Sequence, residues 1–474
     1  YPLYKVNTNF NLRYNFAKKH DKDRIMHSDE FTLLNNSFDE LWPLTRSITG
    51  PGIEQSLEYF SQYMPLKMEK VPTGSQVFDW VVPQEWHFQH AQLKGPGGET
   101  ICCSDDSNLH VVNYSTPIDV QIELDELQKH LHSLPALPTA TPYVTSYYQK
   151  AWGFCLSEEK RRELKPGAYH AQIKSSFKDG GVPFSHCTLE GDSDQEILLT
   201  SYLCHPSLAN NELSGPLTLL ALYNRIKLWP KRRYTYRFLF NPETIGSLCF
   251  LSRYNQHLQE KLISGLILTC IGGPAKKLRY KESAVGNSLF DKLAQHCSQD
   301  KLLIGEPLYT IPFSPLGGSD ERQYGSPGFR LPMGQISKSS YGEYDGYHNS
   351  LDDKAFMTIE SLIESAASTE KFLQYGELCG KPINQSPYGE PQLGPRGLYP
   401  NMNAASTRKY SADKTVDGRT QLNHILMSLN KADGDNDLFS IADACQCSVD
   451  ELIPIILKLE NEGLISYIQK APAQ

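Results

Sequence analysis

The sequence predicts an α/β fold with a mainly parallel sheet and helices on both of its faces. Two apolar, strand-like runs cover residues 196–204 and 234–240. An amphipathic segment, 215–229, lies between them and ends at Pro230. Because crossover helices join the strands of parallel sheets, this alternation of strand and helix patterns indicates the core of the fold.

The same alternation continues toward the carboxyl terminus. Residues 247–262, 287–298 and 356–374 have helical periodicity, whereas 263–271 and 331–337 resemble buried strands. Apolar spacing of three and four residues is typical of helices that pack on a sheet. We therefore expect a sandwich of helices around one central sheet.

Changes in texture along the chain predict further units. Short, turn-separated segments between residues 78 and 113 predict a small β-rich insertion. The α/β core then comprises residues 28–77 and 114–385. A stretch rich in Pro, Gly and Asn predicts a linker over 386–406, followed by a compact winged-helix-like domain at 407–474.

The tail is acidic, which argues against binding to DNA. Residues 411–474 contain five basic and ten acidic side chains, a net charge of 5 minus 10, or −5. The predicted recognition helix, 448–462, has one Lys against four acids. Phosphates would repel this surface. The tail is interpreted as a packing or homo-oligomerisation module.

The composition is that of a globular protein. Of 474 residues, 39% are hydrophobic and 21% are charged, and the net charge of −8 makes nucleic acid a poor partner. No apolar run approaches the roughly 20 residues that span a bilayer, and no signal peptide is visible. The eleven cysteines lack zinc-ribbon spacing. We expect reduced thiols, a cytoplasmic location and no membrane partner.

Polar side chains follow two predicted strands at their carboxyl ends. His205, Asn211 and Glu212 come after the first strand, and Glu243 comes after the second. Ligands of open α/β sheets bind at this edge, so a histidine with a returning carboxylate predicts half of a metal site. Two other interpretations remain open: a hydrogen-bonded His at a strand end, and a carboxylate that stabilises a helix N-terminus.

Two further clusters lie downstream. Asp320 and Arg322 belong to a Gly-rich segment, and Tyr347 and His348 precede the last core helix. The first cluster alternatively forms a solvated turn with a surface ion pair, and the second a helix cap at Ser350. The placement of all four clusters at strand-to-helix junctions favours one pocket rim.

Eight ordered motifs stand out along the chain: PLTRSITG (43–50), VFDW (77–80), PYVTSYY (142–148), WGFC (152–155), CHPS (204–207), PETIG (242–246), GSDER (318–322) and YH (347–348). Together they resemble a family of bacterial aminopeptidase-like proteins that are often encoded among surface-polysaccharide genes. That resemblance implies a three-layer α/β sandwich like that of the zinc exopeptidases, with a β-rich inserted lobe and a C-terminal winged helix.

The resemblance implies a set of metal-binding acids that this chain has only in part. Zinc exopeptidases have a bridging Asp, a Glu pair and a later Asp, where this sequence has Asn211, Thr244 after Glu243, and Gly273. Amides bind zinc more weakly than carboxylates, and Thr and Gly offer it nothing useful. We therefore expect one zinc ion at most.

Roles for the remaining residues follow from that expectation. The predicted metal ligands are His205 and His348, completed by Glu212 or Asp320, with Glu243 as the catalytic base. Asn211, Arg322 and Tyr347 are the predicted substrate-binding residues.

Three functional classes follow from these features. The first is a zinc-dependent amidohydrolase or exopeptidase that acts on a small peptide-like or aminoacyl-sugar substrate. The second is a catalytically inactive relative that binds a ligand or partner in the retained pocket. The third, a DNA-binding regulator, conflicts with the acidic tail.

Overall fold

A computed structural model of the chain describes residues 20–299, 308–399 and 418–467. The strands in these residues are β1 (Lys67–Pro72), β2 (Gln76–Val77), β3 (Trp80–Val81), β4 (Glu85–Lys94), β5 (Thr100–Cys103), β6 (Ile118–Glu123), β7 (Leu131–His132), β8 (Phe154–Cys155), β9 (Ala168–Lys178), β10 (Gly181–Leu189), β11 (Glu196–Tyr202), β12 (Thr235–Asn241), β13 (Leu262–Leu268), β14 (Arg279–Lys281), β15 (Tyr309–Ile311), β16 (Met333–Ser337), β17 (Ile383–Asn384) and β18 (Ile465–Ser466).

The helices in the same residues are α1 (His20–Leu41), α2 (Pro51–Ser61), α3 (Leu124–Leu127), α4 (Glu158–Arg162), α5 (Ser214–Lys227), α6 (Ile245–Lys261), α7 (Leu289–Gln299), α8 (Glu321–Tyr324), α9 (Ile359–Leu378), α10 (Gly418–Lys431), α11 (Leu438–Cys445) and α12 (Val449–Asn461). The core helices and strands lie within a few residues of the predicted ones.

The central sheet has eight strands in the order β1-β10-β12-β11-β13-β16-β14-β15. Strand β11 pairs in parallel with both β12 and β13, and β13 pairs in parallel with β16. Antiparallel pairs at β1-β10, β10-β12 and β14-β16 make the sheet mixed. The predicted α/β fold, with residues 197–203 and 235–240 in one sheet, is confirmed.

Alternate side chains of the central strands pack against helices on opposite faces of the sheet. Leu199 and Phe238 belong to one apolar cluster with side chains of α5 and α9. Leu198 and Leu239 belong to a second cluster with side chains of α6. All residues of β11 and β12 are buried, since both faces of the sheet are covered.

The β-rich lobe extends well beyond the predicted bounds of 78–113. Its four-stranded sheet has the order β5-β4-β9-β6, so two of its strands lie between residues 118 and 178. The longest pairing joins β4 to β9 in antiparallel register. Turn-rich texture marked only the first half of the lobe, because β9, which pairs with β4, follows a long connection and has no local signal of that pairing.

The C-terminal domain contains α10, α11, α12 and the short strand β18, in the predicted order. Strand β17 pairs antiparallel with β18, although the sequence assigned residues 383–384 to the core. Residues 386–399 contain no helix or strand, while 400–417 and 468–474 lie outside the described residues. The guanidinium of Arg233 lies 3.2 Å from the ring centre of Tyr467, which joins the tail to the core.

Two predictions from composition concern cysteines and membranes. All eleven cysteines are free thiols, as predicted. No helix in the described parts of the chain is both long enough and apolar enough to cross a bilayer.

Candidate active site

His205 contacts a buried ion pair, formed by Arg46 and Glu212, on the Nδ1 side of its ring. Its Nδ1 lies 2.7 Å from Glu212 Oε2, in a π-helical turn formed by Ala209–Leu213. Arg46 donates from Nε to the His205 carbonyl at 2.9 Å and lies 3.7 Å from Glu212 Oε1. The side chains of Arg46 and Glu212 are both 0% exposed. Since a carboxylate can only accept here, the Nδ1 of His205 carries a proton and its Nε2 is left free.

Glu212, a predicted metal ligand, contacts His205 directly in this structure. Its carboxylate and the thiol of Cys204 both approach Nδ1 of His205, and the three groups lie within 4.8 Å of one another. A separation of 2.7 Å is that of a hydrogen bond, however. Histidines that bind metals commonly donate their other N–H to a carboxylate. Glu212 orients His205 in this way. Burial lowers the pKa of His205, but Cys204 and Glu212 outweigh burial and raise it above its usual value.

Glu243 faces the free nitrogen of His205. It follows β12 in a tight turn whose next residue, Thr244, has a φ of 62°. Its Oε2 lies 3.8 Å from His205 Nε2, and its Oε1 accepts a hydrogen bond from Ser319 Oγ at 2.7 Å. Burial raises the pKa of the Glu243 carboxyl, although His205 and Ser319 act in the opposite direction. A carboxylate with a raised pKa beside a ligand-like imidazole suits proton transfer.

Asp320 holds the turn that carries Glu243 and does not serve as the predicted metal ligand. Its Oδ1 accepts from the Thr244 backbone N at 2.7 Å, and its Oδ2 accepts from Asn241 Nδ2 at 3.1 Å. Burial, together with the nearby Glu243, raises the pKa of Asp320 to about 7. Because both oxygens are already used, Asp320 stabilises the strained backbone of Thr244.

His348 approaches His205 from another part of the chain, as predicted. The two ring centres are 5.4 Å apart at an interplanar angle of 41°. Tyr347 stacks on His348 with ring centres 4.1 Å apart, and Tyr143 lies edge-on to it at 5.5 Å. His348 Nε2 is buried and has no hydrogen-bond partner among the described residues. Burial and the proximity of His205 lower the pKa of His348 to about 3, which keeps the ring neutral.

Asn211 presents an unpartnered oxygen to the same region. Its Nδ2 donates to the Tyr202 hydroxyl at 3.0 Å, while its Oδ1 is buried and has no partner within the described chain. The carboxylate of Asp352 accepts from the backbone N of both Asn210 and Asn211, at 2.7 and 2.8 Å. The turn is therefore fixed, with the amide oxygen of Asn211 left available to a ligand.

A cavity of 480 Å³ lies at the carboxyl ends of the central strands, and His205 and His348 lie beside its lining residues without lining it themselves. Asn211, Glu243 and Tyr347, which the sequence assigned to the site, line it together with Ser319 and Tyr202. A pocket of this size accepts a small molecule. Three of the predicted site residues therefore lie in one cavity at this edge of the sheet.

Arg322 does not line this cavity. Its Nε donates to the backbone carbonyl of Ser319 at 3.2 Å, so that it helps to fix the residue that contacts Glu243. The predicted role in holding a substrate therefore has no support in the geometry.

Several residues of the site were not predicted from the sequence. Arg46, Tyr143 and Ser319 occur in motifs that the sequence singles out, yet their chemical roles depend on partners far along the chain. Asp352 lies about 140 residues from the amides that it caps. An arginine within an uncharged motif was the one usable signal, since a buried guanidinium requires a carboxylate partner.

The donor groups in and beside the cavity fit a single metal ion in kind. Asn211 and Glu243 line the cavity, whereas His205 and His348 lie next to these residues but outside the lining. His348 Nε2 and Asn211 Oδ1 are buried and have no hydrogen-bond partner in the described parts of the chain. Among the described residues, His205, Glu243 and His348 do not bring their donor atoms within 4.8 Å of one another as a set of three. A side-chain adjustment would thus accompany binding.

Comparison with known proteins agrees with this architecture. Residues 35–378 match a family described as a domain of unknown function, DUF4910, and residues 381–467 match a winged helix-turn-helix family. The chain belongs to the DUF4910 family. A Clostridium acetobutylicum protein, described as a candidate polysaccharide biosynthesis protein with an aminopeptidase-like domain, is 38% identical over 86% of this chain and 90% of its own length.

Solved structures extend the agreement to the fold. A crystal structure of a candidate peptidase from Clostridium acetobutylicum is 33% identical, with a TM-score of 0.78 over 94% of this chain and 98% of that one. BSAP, a zinc aminopeptidase from Bacillus subtilis, has a TM-score of 0.51 at 11% identity over 72% of this chain and 94% of its own. The family member thus has a peptidase-like α/β fold followed by a winged-helix domain.

Proposed function

We propose that this protein hydrolyses an amide bond in a small peptide-like or aminoacyl-sugar substrate, with the help of one zinc ion. The observation that carries the proposal is the contact between the imidazole of His205 and the carboxylate of Glu243. His205 Nε2, whose ring is fixed by Glu212, faces the carboxylate of Glu243 at 3.8 Å. Structural relatives that are zinc aminopeptidases support the metal's identity.

The residues that would hold the ion are His205, His348 and Asn211. His348 offers a neutral ring nitrogen, and His205 would offer Nε2 after it loses the proton there. Asn211 occupies the position where the family resemblance implies a metal-binding acid. Glu212 has a supporting role because its Oε2 already contacts His205 Nδ1, and Asp320 is excluded because both of its oxygens accept hydrogen bonds. Zinc, when bound, supplies Lewis acidity and makes water a stronger nucleophile at neutral pH.

The chain's own residues supply the proton transfer. Glu243 accepts a proton from the attacking water and returns it to the leaving amine. Its partner Ser319 fixes one carboxylate oxygen, while Asp320 fixes the turn from which the side chain extends. Tyr347 lines the cavity as an aromatic wall against which a substrate can pack.

Metal content tests the proposal directly. Protein purified without chelator should contain about one zinc ion per chain by elemental analysis. A second ion would need carboxylates at the positions that Thr244 and Gly273 occupy. His348→Ala should lose most of that metal while the far-ultraviolet circular dichroism spectrum stays unchanged. Zinc-free protein, or unchanged zinc in the variant, would contradict the proposal.

A second pair of variants tests the role of Asn211. Asn211→Asp should bind zinc more tightly in a chelator competition, because a carboxylate is a stronger ligand than an amide. Gln335→Glu is the matched control, since it makes the same amide-to-acid change in the same cavity. If both variants gain affinity equally, the effect is general electrostatics and Asn211 is not a ligand.

An inactive relative that binds a ligand in the retained pocket is the second candidate. The observation in its favour is that, among the described residues, the donor atoms of His205, Glu243 and His348 do not lie within 4.8 Å of one another as a set. That function predicts ligand binding to metal-free protein, without cleavage of the ligand.

A further inference from the structure

A second cavity, of 650 Å³, adjoins the first at the same edge of the sheet. It lies beyond the ends of β13 and β16, where the chain leaves the central sheet. Its charged lining consists of four cations, Lys276, Lys277, Arg279 and Lys338, and one acid, Glu343. The name basic cavity is used below for this space.

Only part of this positive charge is balanced within the protein. Arg279 Nη1 donates to Glu343 Oε1 at 2.8 Å, and Lys338 Nζ lies 3.8 Å from Glu364 Oε2. The two acids are 43% and 77% exposed, so water weakens both interactions. Lys276 and Lys277 are exposed and have no ion pair with any residue that the structure describes.

Lys338 differs from the other cations because it is buried. Its side chain is 7% exposed, and its Nζ donates to Ser361 Oγ at 2.7 Å. Burial lowers the pKa of this lysine, with Glu364 acting weakly in the opposite direction. An anion in the basic cavity would favour the charged form of Lys338, so the cavity gains most from a ligand with negative charge.

The two cavities share a residue. Arg279 lines both the basic cavity and the cavity that contains Glu243. One elongated ligand can therefore occupy both spaces, with its anionic end near the lysines.

The kind of anion follows from the type and number of cations. Lysines act as compact point charges that suit phosphate oxygens, whereas one planar arginine suffices for a carboxylate. A duplex nucleic acid needs an extended basic surface, and the net charge of this chain is −8. We propose that the basic cavity binds a phosphate or diphosphate group, carried by the molecule whose amide bond faces Glu243. Its role as a substrate subsite rests on the function proposed above.

The probe for this site is inorganic diphosphate, titrated by calorimetry into the full-length protein after metal removal. The double variant Lys276→Gln with Lys277→Gln should weaken binding about tenfold, because two exposed charge contacts are lost. The matched control is Lys174→Gln with Lys178→Gln, two exposed lysines of β9 in the β-rich lobe. It changes the net charge equally and should leave the affinity unchanged.

Each result decides for or against the basic cavity. Equal binding by the Lys276/Lys277 variant and the unmodified protein overturns the proposal, as does an equal loss in the control variant. Diphosphate binding that is seen with zinc-loaded protein but not with metal-free protein places the diphosphate at the zinc site and also overturns the proposal.

The zinc measurements separate this proposal from the hydrolase. Zinc-free protein with lysine-dependent diphosphate binding keeps the anion site and rejects the hydrolase. Zinc-loaded protein without lysine-dependent diphosphate binding supports the hydrolase and rejects the anion site.

Discussion

The buried contact between Arg46, Glu212 and His205 gives the sharpest test of how the site is built. Glu212→Gln keeps the size of the side chain and an oxygen that can accept from His205 Nδ1, but it removes the negative charge. Arg46 then remains charged in a region where its side chain is 0% exposed. The variant thus separates the charge of Glu212 from its shape.

The size of the effect follows from the burial and the contacts that survive. Removing one partner of a buried ion pair costs about 3–5 kcal/mol, and here the lower end applies. The pair is separated by 3.7 Å, and Arg46 keeps hydrogen bonds to the carbonyls of Leu41 and His205. We expect a loss of about 3 kcal/mol in the free energy of unfolding. Zinc affinity should fall about 10-fold to 100-fold, the usual result when a partner of a metal-binding histidine is changed.

Two measurements check these values. Chemical denaturation followed by tryptophan fluorescence gives the stability, and competition with a chromophoric chelator gives the zinc affinity. Glu126→Gln serves as the control, because Glu126 forms an exposed ion pair with Lys129 and should change neither quantity. If Glu212→Gln matches the unmodified protein in both assays, the buried pair does not organise His205.

Two further predictions concern pH and DNA. Because the folded-state pKa of Asp320 is raised to about 7, its contribution to stability is fully present below its unfolded pKa and is lost as the pH rises. The loss is on the order of 4 kcal/mol between about pH 4 and pH 7. Asp320→Asn should lack this part of the fall in denaturation curves across that range, and parallel pH profiles would refute the assignment. The protein should give no gel shift with DNA at micromolar concentration and moderate salt, since α12 is acidic and its Lys458 donates to the Gly397 carbonyl. A sequence-selective complex would refute this.

Much of the fold was predictable from local patterns. Continuous apolar runs predicted β11, β12, β13 and β16, since strands covered on both faces need apolar side chains at every position. Pro230 and the spacing of leucines set the limits of α5. The extent of the β-rich lobe was not predictable, because β9 pairs with β4 across about 80 residues and no local feature records that partnership.

The amino-acid sequence by itself determined the fold class, and it singled out His205, Glu243 and His348, which lie close together at the carboxyl ends of the central strands. These follow from residue type at strand ends, which is local information. Only the tertiary structure decided the role of each carboxylate. Glu212 contacts Nδ1 of His205, and Asp320 accepts a hydrogen bond from the backbone of Thr244. Of these three acids, Glu243 alone lines the cavity. The physical reason is that a carboxylate's role depends on which donors surround it, and those donors come from distant segments of the chain.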